Sequence, residues 1–224
     1  ELYVGCAGGE DVNITFRYSA EKVPAGYTGL KLGVTGLKGG HSGIDIIRQR
    51  GNAIKVFFRV LNAVYEKTGE RLGNLDCGSL RNAIPREAFG LLAVEKGKTG
   101  EVKEIASLIA EMVRNELSAA DPDINIFVEE AGLPEEITDK LTQENLTKAV
   151  VACPNGVIRM SDSMQGLVET STNLAFLRSD AAEKTIIAGC MMRSSVDSAR
   201  NELGSRLRAV FELAGAEVAF SSGY

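Results

Sequence analysis

The chain has no tryptophan, one histidine among 224 residues, four scattered cysteines and no run of Lys or Arg. Each scarcity removes a class of function. With a net charge of −5 and no Trp, a groove that tracks phosphates or a platform that stacks bases has little to be built from, so nucleic acid is not expected as a partner. No stretch approaches the roughly 20 consecutive apolar residues of a membrane span, and Glu1-Leu2-Tyr3-Val4-Gly5 has no signal-peptide character, so no membrane partner is expected either. Cys6, Cys77, Cys153 and Cys190 sit far apart in apolar settings without a CxxC pair. They read as buried free thiols of a cytoplasmic protein, not as a zinc knuckle or a disulfide frame. One histidine and no paired cysteines leave a metal only carboxylates, and these fall mainly on polar helix faces or in turns. No metal ligand or cofactor is assigned within this chain.

What is present is an ordinary globular composition, 44% hydrophobic and 25% charged, with a clear pattern. Val12, Ile14, Phe16 and Tyr18 alternate with polar residues, as do Leu30, Leu32 and Val34, which predicts two half-buried strands. Ile47, Ile54, Phe57, Phe58, Leu61, Val64 and Tyr65 recur at helical steps and predict a long amphipathic helix. Ser42 and Asp45 offer a capping box at its start, although Gly51 delays a stable helix until Asn52. Strands near 72–77 and 89–95 follow, then a helix carrying Val102, Ile105, Ala106, Ile109, Val113 and Leu117, then a strand at 124–129. Beyond a linker at Gly132-Leu133-Pro134-Glu135-Glu136, a helix at 143–152, strands at 167–178 and 185–193, a helix opened by a Ser194/Asp197 capping box and a strand at 217–221 repeat much of that order. The expected fold is α+β: two ferredoxin-like βαββαβ units, the second lacking a clear first strand, forming antiparallel sheet with helices on one face.

The lone histidine lies in Gly39-Gly40-His41-Ser42-Gly43, a glycine-flanked loop between a strand and the long helix. Glycines on both sides let a ligand or another chain approach closely, so His41 reads as displayed. A surface turn that happens to contain a histidine is the plainer alternative.

Together with Gly39-Gly40-His41-Ser42-Gly43, the segments Arg81-Asn82-Ala83-Ile84-Pro85, Pro154-Asn155-Gly156-Val157, Val168-Glu169-Thr170-Ser171-Thr172-Asn173-Leu174-Ala175 and Met191-Met192-Arg193-Ser194-Ser195 narrow the choice. Nearly the whole chain resembles the lid domain of the aminoacyl-histidine dipeptidases, the peptidase D group of two-metal exopeptidases related to aminoacylases and carnosinases. The resemblance implies a cytoplasmic dipeptidase acting on Xaa-His and similar unblocked dipeptides, with two divalent metals, zinc by preference, held by a catalytic domain outside this chain. It also implies boundaries: 1–11 as the end of the catalytic domain, 12–131 as the first lid unit, 132–221 as the second, and 222–224 as the return. The missing initiator Met and the strand-like opening at Leu2–Cys6 fit a segment of a longer protein.

By the same resemblance, His41 is a catalytic donor to the carbonyl oxygen as it becomes an oxyanion. Asn82 holds the peptide or terminal carboxylate, Arg193 binds the free carboxylate through its planar fork, and Asn173 contacts the substrate backbone. The implied partners are the chain's own catalytic domain, a dipeptide and a second copy as homodimer. His41 and Asn82 fall in the first unit and Arg193 in the second, as if one chain imitated a dimer. The family's His-x-Asp metal motif is absent, and Glu129-Glu130 and Glu135-Glu136 read as solvated pairs rather than a catalytic base. A non-catalytic βαββαβ sensing or dimerisation module is the competing reading.

Overall fold

The alternating segments become strands and the periodic ones helices in the computed structural model, which describes residues 8–223. Residues 1–7 of the expected catalytic-domain end at 1–11, Cys6 among them, and Tyr224 of the expected return lie outside the described residues. In chain order the strands are β1 (Gly8–Arg17), β2 (Ala20–Glu21), β3 (Tyr27–Thr35), β4 (Gly40–His41), β5 (Arg71–Gly78), β6 (Ala83–Ile84), β7 (Ala88–Glu95), β8 (Asn125–Ala131), β9 (Ile137–Thr138), β10 (Gly156–Met160), β11 (Val168–Asp180), β12 (Thr185–Ser194) and β13 (Glu217–Phe220). The helices are α1 (Ala53–Thr68), α2 (Thr99–Glu116), α3 (Lys140–Ala152) and α4 (Asp197–Leu213).

One antiparallel sheet carries nine of the strands in the order β13-β1-β12-β11-β5-β7-β3-β8, with β10 alongside the first part of β11. From either edge the order is fourth, first, third, second strand of a βαββαβ unit, so the sheet reads as a palindrome. Its centre is the short antiparallel pairing of β5 with β11, Phe176 opposite Gly78 and Arg178 opposite Asp76. A palindrome closed by an antiparallel pair of equivalent strands implies a pseudo-twofold axis through that pair. The helices form a matching layer on one face, α2 against α1, α1 against α3 and α3 against α4.

The second unit is complete, because its first strand is β1. The sequence places residues 12–18 at the head of the first unit, by proximity along the chain. The model pairs β1 with β12 over ten residues and with β13 over four, and Phe16 meets Phe211 of α4 edge-on at 6.2 Å. The first unit already has four strands in β3, β5, β7 and β8, so β1 finds unmet backbone donors and an apolar partner only in the second. Residues between β2 and β9 are thus an insertion, and its entry and exit are clasped: Ala20 pairs with Thr138, and Ser19 N donates to Asp139 Oδ2 at 2.9 Å.

At the junction α1 is wedged between α2, α3 and the sheet, which explains why Ile54, Phe57, Phe58, Leu61 and Val64 are all fully buried. Lys55 of α1 donates to the carbonyls of Val150, Val151 and Cys153, closing the C-terminal end of α3. Burial lowers the pKa of that ammonium. Tyr65 Oη donates to Glu144 at 2.6 Å a few turns away. Cys77, Cys153 and Cys190 are buried free thiols, and burial pushes the Cys77 thiol up to about 12. No helix among the described residues is long and apolar enough to cross a membrane.

Candidate functional site

The long helix starts where its cap allows. Asn52 Oδ1 accepts from Ile54 N and Lys55 N at 3.0 and 3.3 Å, so α1 begins at Ala53. The Ser42/Asp45 capping box does not form. Residues 46–48 make a single tight turn, leaving Ile47 39% exposed instead of on the core stripe. Asp45 turns back instead, and its carboxylate accepts from His41 N at 2.9 Å. The Ser194/Asp197 box is likewise replaced: Ser194 Oγ accepts from Val196 N at 3.1 Å and bonds Thr170.

The loop carrying His41 is held at both ends by one carboxylate. Asp121, fully buried just beyond α2, accepts from Lys38 N at 2.8 Å through one oxygen and from Gly51 N at 2.6 Å through the other. Nothing in the sequence around Asp121 signals partners 83 and 70 residues away. Inside the loop, β4 pairs with β6 so that His41 lies opposite Ala83, and Ser42 N donates to Asn82 O at 2.8 Å. Gly40 has φ +138, and a Cβ there would stand 2.7 Å from Asp45 and Arg50 side-chain atoms. Only glycine fits.

His41 is half-buried, and Nδ1 accepts from Gly43 N at 3.1 Å and Ile44 N at 3.2 Å. With Nδ1 an acceptor, a neutral imidazole carries its proton on Nε2, which is left as a donor. Arg193 reaches the same place from the other unit. A Cβ on Gly43 would lie 3.1 Å from Arg193 Nε and 3.2 Å from His41 Cε1, so the glycine is the spacer between ring and guanidinium. Asn82 is exposed in the turn before β6, its carbonyl tied to Ser42 and its side chain on the surface. His41, Asn82 and Arg193 therefore gather at one end of the sheet.

Asn173 does not join them. It is 1% exposed, and its Nδ2 donates inward to Ala83 O at 2.8 Å, so its amide is spent inside the protein. Glu129, Glu130 and Glu135 are exposed, and Glu136 is ion-paired with Lys184. Among the described residues no three His, Cys, Asp or Glu side chains converge on a point that would hold a metal.

This arrangement has counterparts among known proteins. Residues 32–121, within the first unit, match the peptidase dimerisation domain. The cytosol non-specific dipeptidase of Escherichia coli (strain K12) is 35% identical over 224 residues, covering 100% of this chain and 46% of that protein. The crystal structure of aminoacylhistidine dipeptidase from Vibrio alginolyticus superimposes with a TM-score of 0.95 at 40% identity, over 99% of this chain and 45% of that one. Residues 32–121 carry the peptidase dimerisation domain, and the chain as a whole is α+β with a large antiparallel sheet. The chain spans about half the length of the relatives it matches. Over nearly its whole length it is similar to part of each of these two dipeptidases.

Proposed function

We propose that this chain is the substrate-binding lid of a metal-dependent dipeptidase acting on Xaa-His and similar unblocked dipeptides. The observation that carries the reading is the approach of His41 and Arg193 from different units to the two sides of Gly43. In this reading Nε2–H of His41 donates to the scissile carbonyl oxygen as negative charge grows on it, and the fork of Arg193 takes the free carboxylate. Asn82, exposed beside the same loop, holds the peptide or carboxylate end. Two divalent metals, zinc by preference, would be held by residues of the catalytic domain outside this chain and would supply an activated water there, while the lid would exclude bulk solvent.

The palindromic sheet supports a further element. In this reading the first unit stands where a second subunit's lid would stand in a dimeric relative, so the pairing of β5 with β11 and of α1 with α3 provides within one chain what a homodimer provides between two. Enzyme kinetics test the assignment. In the full-length enzyme His41→Ala lowers kcat by on the order of 10²–10³ with little change in KM, since the oxyanion exists only near the transition state. Arg193→Ala chiefly raises KM for free-carboxylate dipeptides. Near-normal kcat in folded His41→Ala enzyme would overturn the role given to His41.

A further inference from the structure

Asn52, Asn155 and Asn173 come from distant parts of the chain and meet at the seam between the units. Asn52 Nδ2 donates to Leu174 O at 2.8 Å and Asn155 Oδ1 at 3.1 Å, with a longer contact of 3.4 Å to Asn173 Oδ1. Its own Oδ1 is committed to the N-terminus of α1, which fixes the orientation of the amide. Asn155 Oδ1 also accepts from Leu174 N at 2.9 Å. Asn173, held on one side by Asn52, grips Ala83 O on the other, and Ala83 is the residue paired with His41. On its own strand Asn173 stands opposite Met191, two residues before Arg193. Ala53 N completes the seam by donating to Pro85 O at 3.1 Å.

We propose that these three amides are positioning residues, a relay buried at Asn52 and Asn173 and half-buried at Asn155, that sets His41 of the first unit at its working distance from Arg193 of the second. The inference rests on the reading of His41 and Arg193 as parts of one substrate site. An amide suits the task because it donates and accepts in fixed directions, so hydrogen bonds that cross the seam through amides favour one arrangement of the two units. A packed apolar seam would hold the units together equally well but would tolerate small slides between them. The relay specifies register, which adhesion alone does not.

His41 is the only histidine, so its ring resonances in this chain are assigned without ambiguity. Asn52→Asp keeps the helix cap at Ile54 and Lys55 while deleting the donors to Leu174 O and Asn155; Asn173→Ala deletes the grip on Ala83. The expected result is a displaced or broadened His41 imidazole signal, in ¹⁵N and ¹³C spectra, in both variants while the amide spectrum of the β-sheet stays dispersed. In the full-length enzyme each variant loses roughly tenfold or more in kcat, a loss that vanishes in the His41→Ala background because the relay acts through His41. Should Asn173→Ala fail to fold, Asn52→Asp carries the test. Unchanged His41 signals in a folded variant overturn the relay. Displaced signals in an enzyme whose turnover does not depend on His41 leave the relay standing and overturn the catalytic reading instead.

Discussion

The two units share a strand order and differ in what they do with it. In the first, the link from β3 to α1 is a long loop that displays His41 and is clamped by Asp121. In the second, the corresponding link from β1 to α3 is opened to admit the whole first unit. At the end of the third strand the difference reverses: β7 finishes in Glu95 and an exposed turn, whereas β12 carries Arg193 one residue before its end at Ser194. The same scaffold thus supplies a hydrogen-bond donor from one copy and a cation from the other. Neither copy holds both, so the proposed site is complete only while the seam is intact.

The largest effect that breaks this comparison comes from the core of the first unit. Phe57 is fully buried on α1, 5.5 Å from the Phe58 ring, and its ring lies over Gly90 of β7. Phe57→Ala is expected to cost about 3–5 kcal/mol, measured by denaturant unfolding, with the His41 loop disordered well before global unfolding. A loss below about 1 kcal/mol would mean that the first unit does not depend on Phe57 to hold α1 on its sheet.

Acidity gives the next effect. Glu70, 1% exposed between α1 and β5, has its carboxyl pKa pushed up to about 8 by burial, and its backbone carbonyl accepts from Gln143 of the second unit at 3.0 Å. The unfolded chain releases this proton near pH 4.5 and the folded chain near pH 8. Between those values the unfolded state alone is ionised, so the contribution to stability falls as pH rises from about 4.5 to about 8 and then levels off. Glu70→Gln should remove that part of the slope in Tm between pH 5 and pH 8. An identical slope in the variant would contradict the assignment.

Gly43→Ala gives the smallest effect and the most local one. A methyl 3.1 Å from Arg193 Nε forces the guanidinium aside by a few tenths of an ångström. KM for free-carboxylate dipeptides should rise severalfold while Tm moves little, and a change in Tm without a change in KM would show the spacer to be only structural.

The local patterns are legible because they depend on near neighbours: the stripe on α1, the alternation in β3, the glycine-flanked loop before α1. What was not legible depended on distance. The alternation of Val12 to Tyr18 announces a strand but not its partner, and the insertion of the whole first unit hides that β1 completes the second. Residues 156–160 carry Arg159 and no clear alternation, so β10 was read only as part of a motif. Asn173 looked like a substrate ligand because an amide in a motif carries no label for the direction it faces. Asp121 and Asn52, which hold the site together, resemble ordinary helix ends from sequence alone.

In the proposed site one substrate lies between His41 from the first unit and Arg193 from the second. The decisive measurement is a crystal structure of the full-length enzyme with a phosphinic dipeptide analogue. A phosphinate oxygen is expected within hydrogen-bonding distance of His41 Nε2 and the analogue's carboxylate in the fork of Arg193, both in the same chain. An analogue bound with either residue turned away, or with His41 supplied by a second molecule, would contradict it.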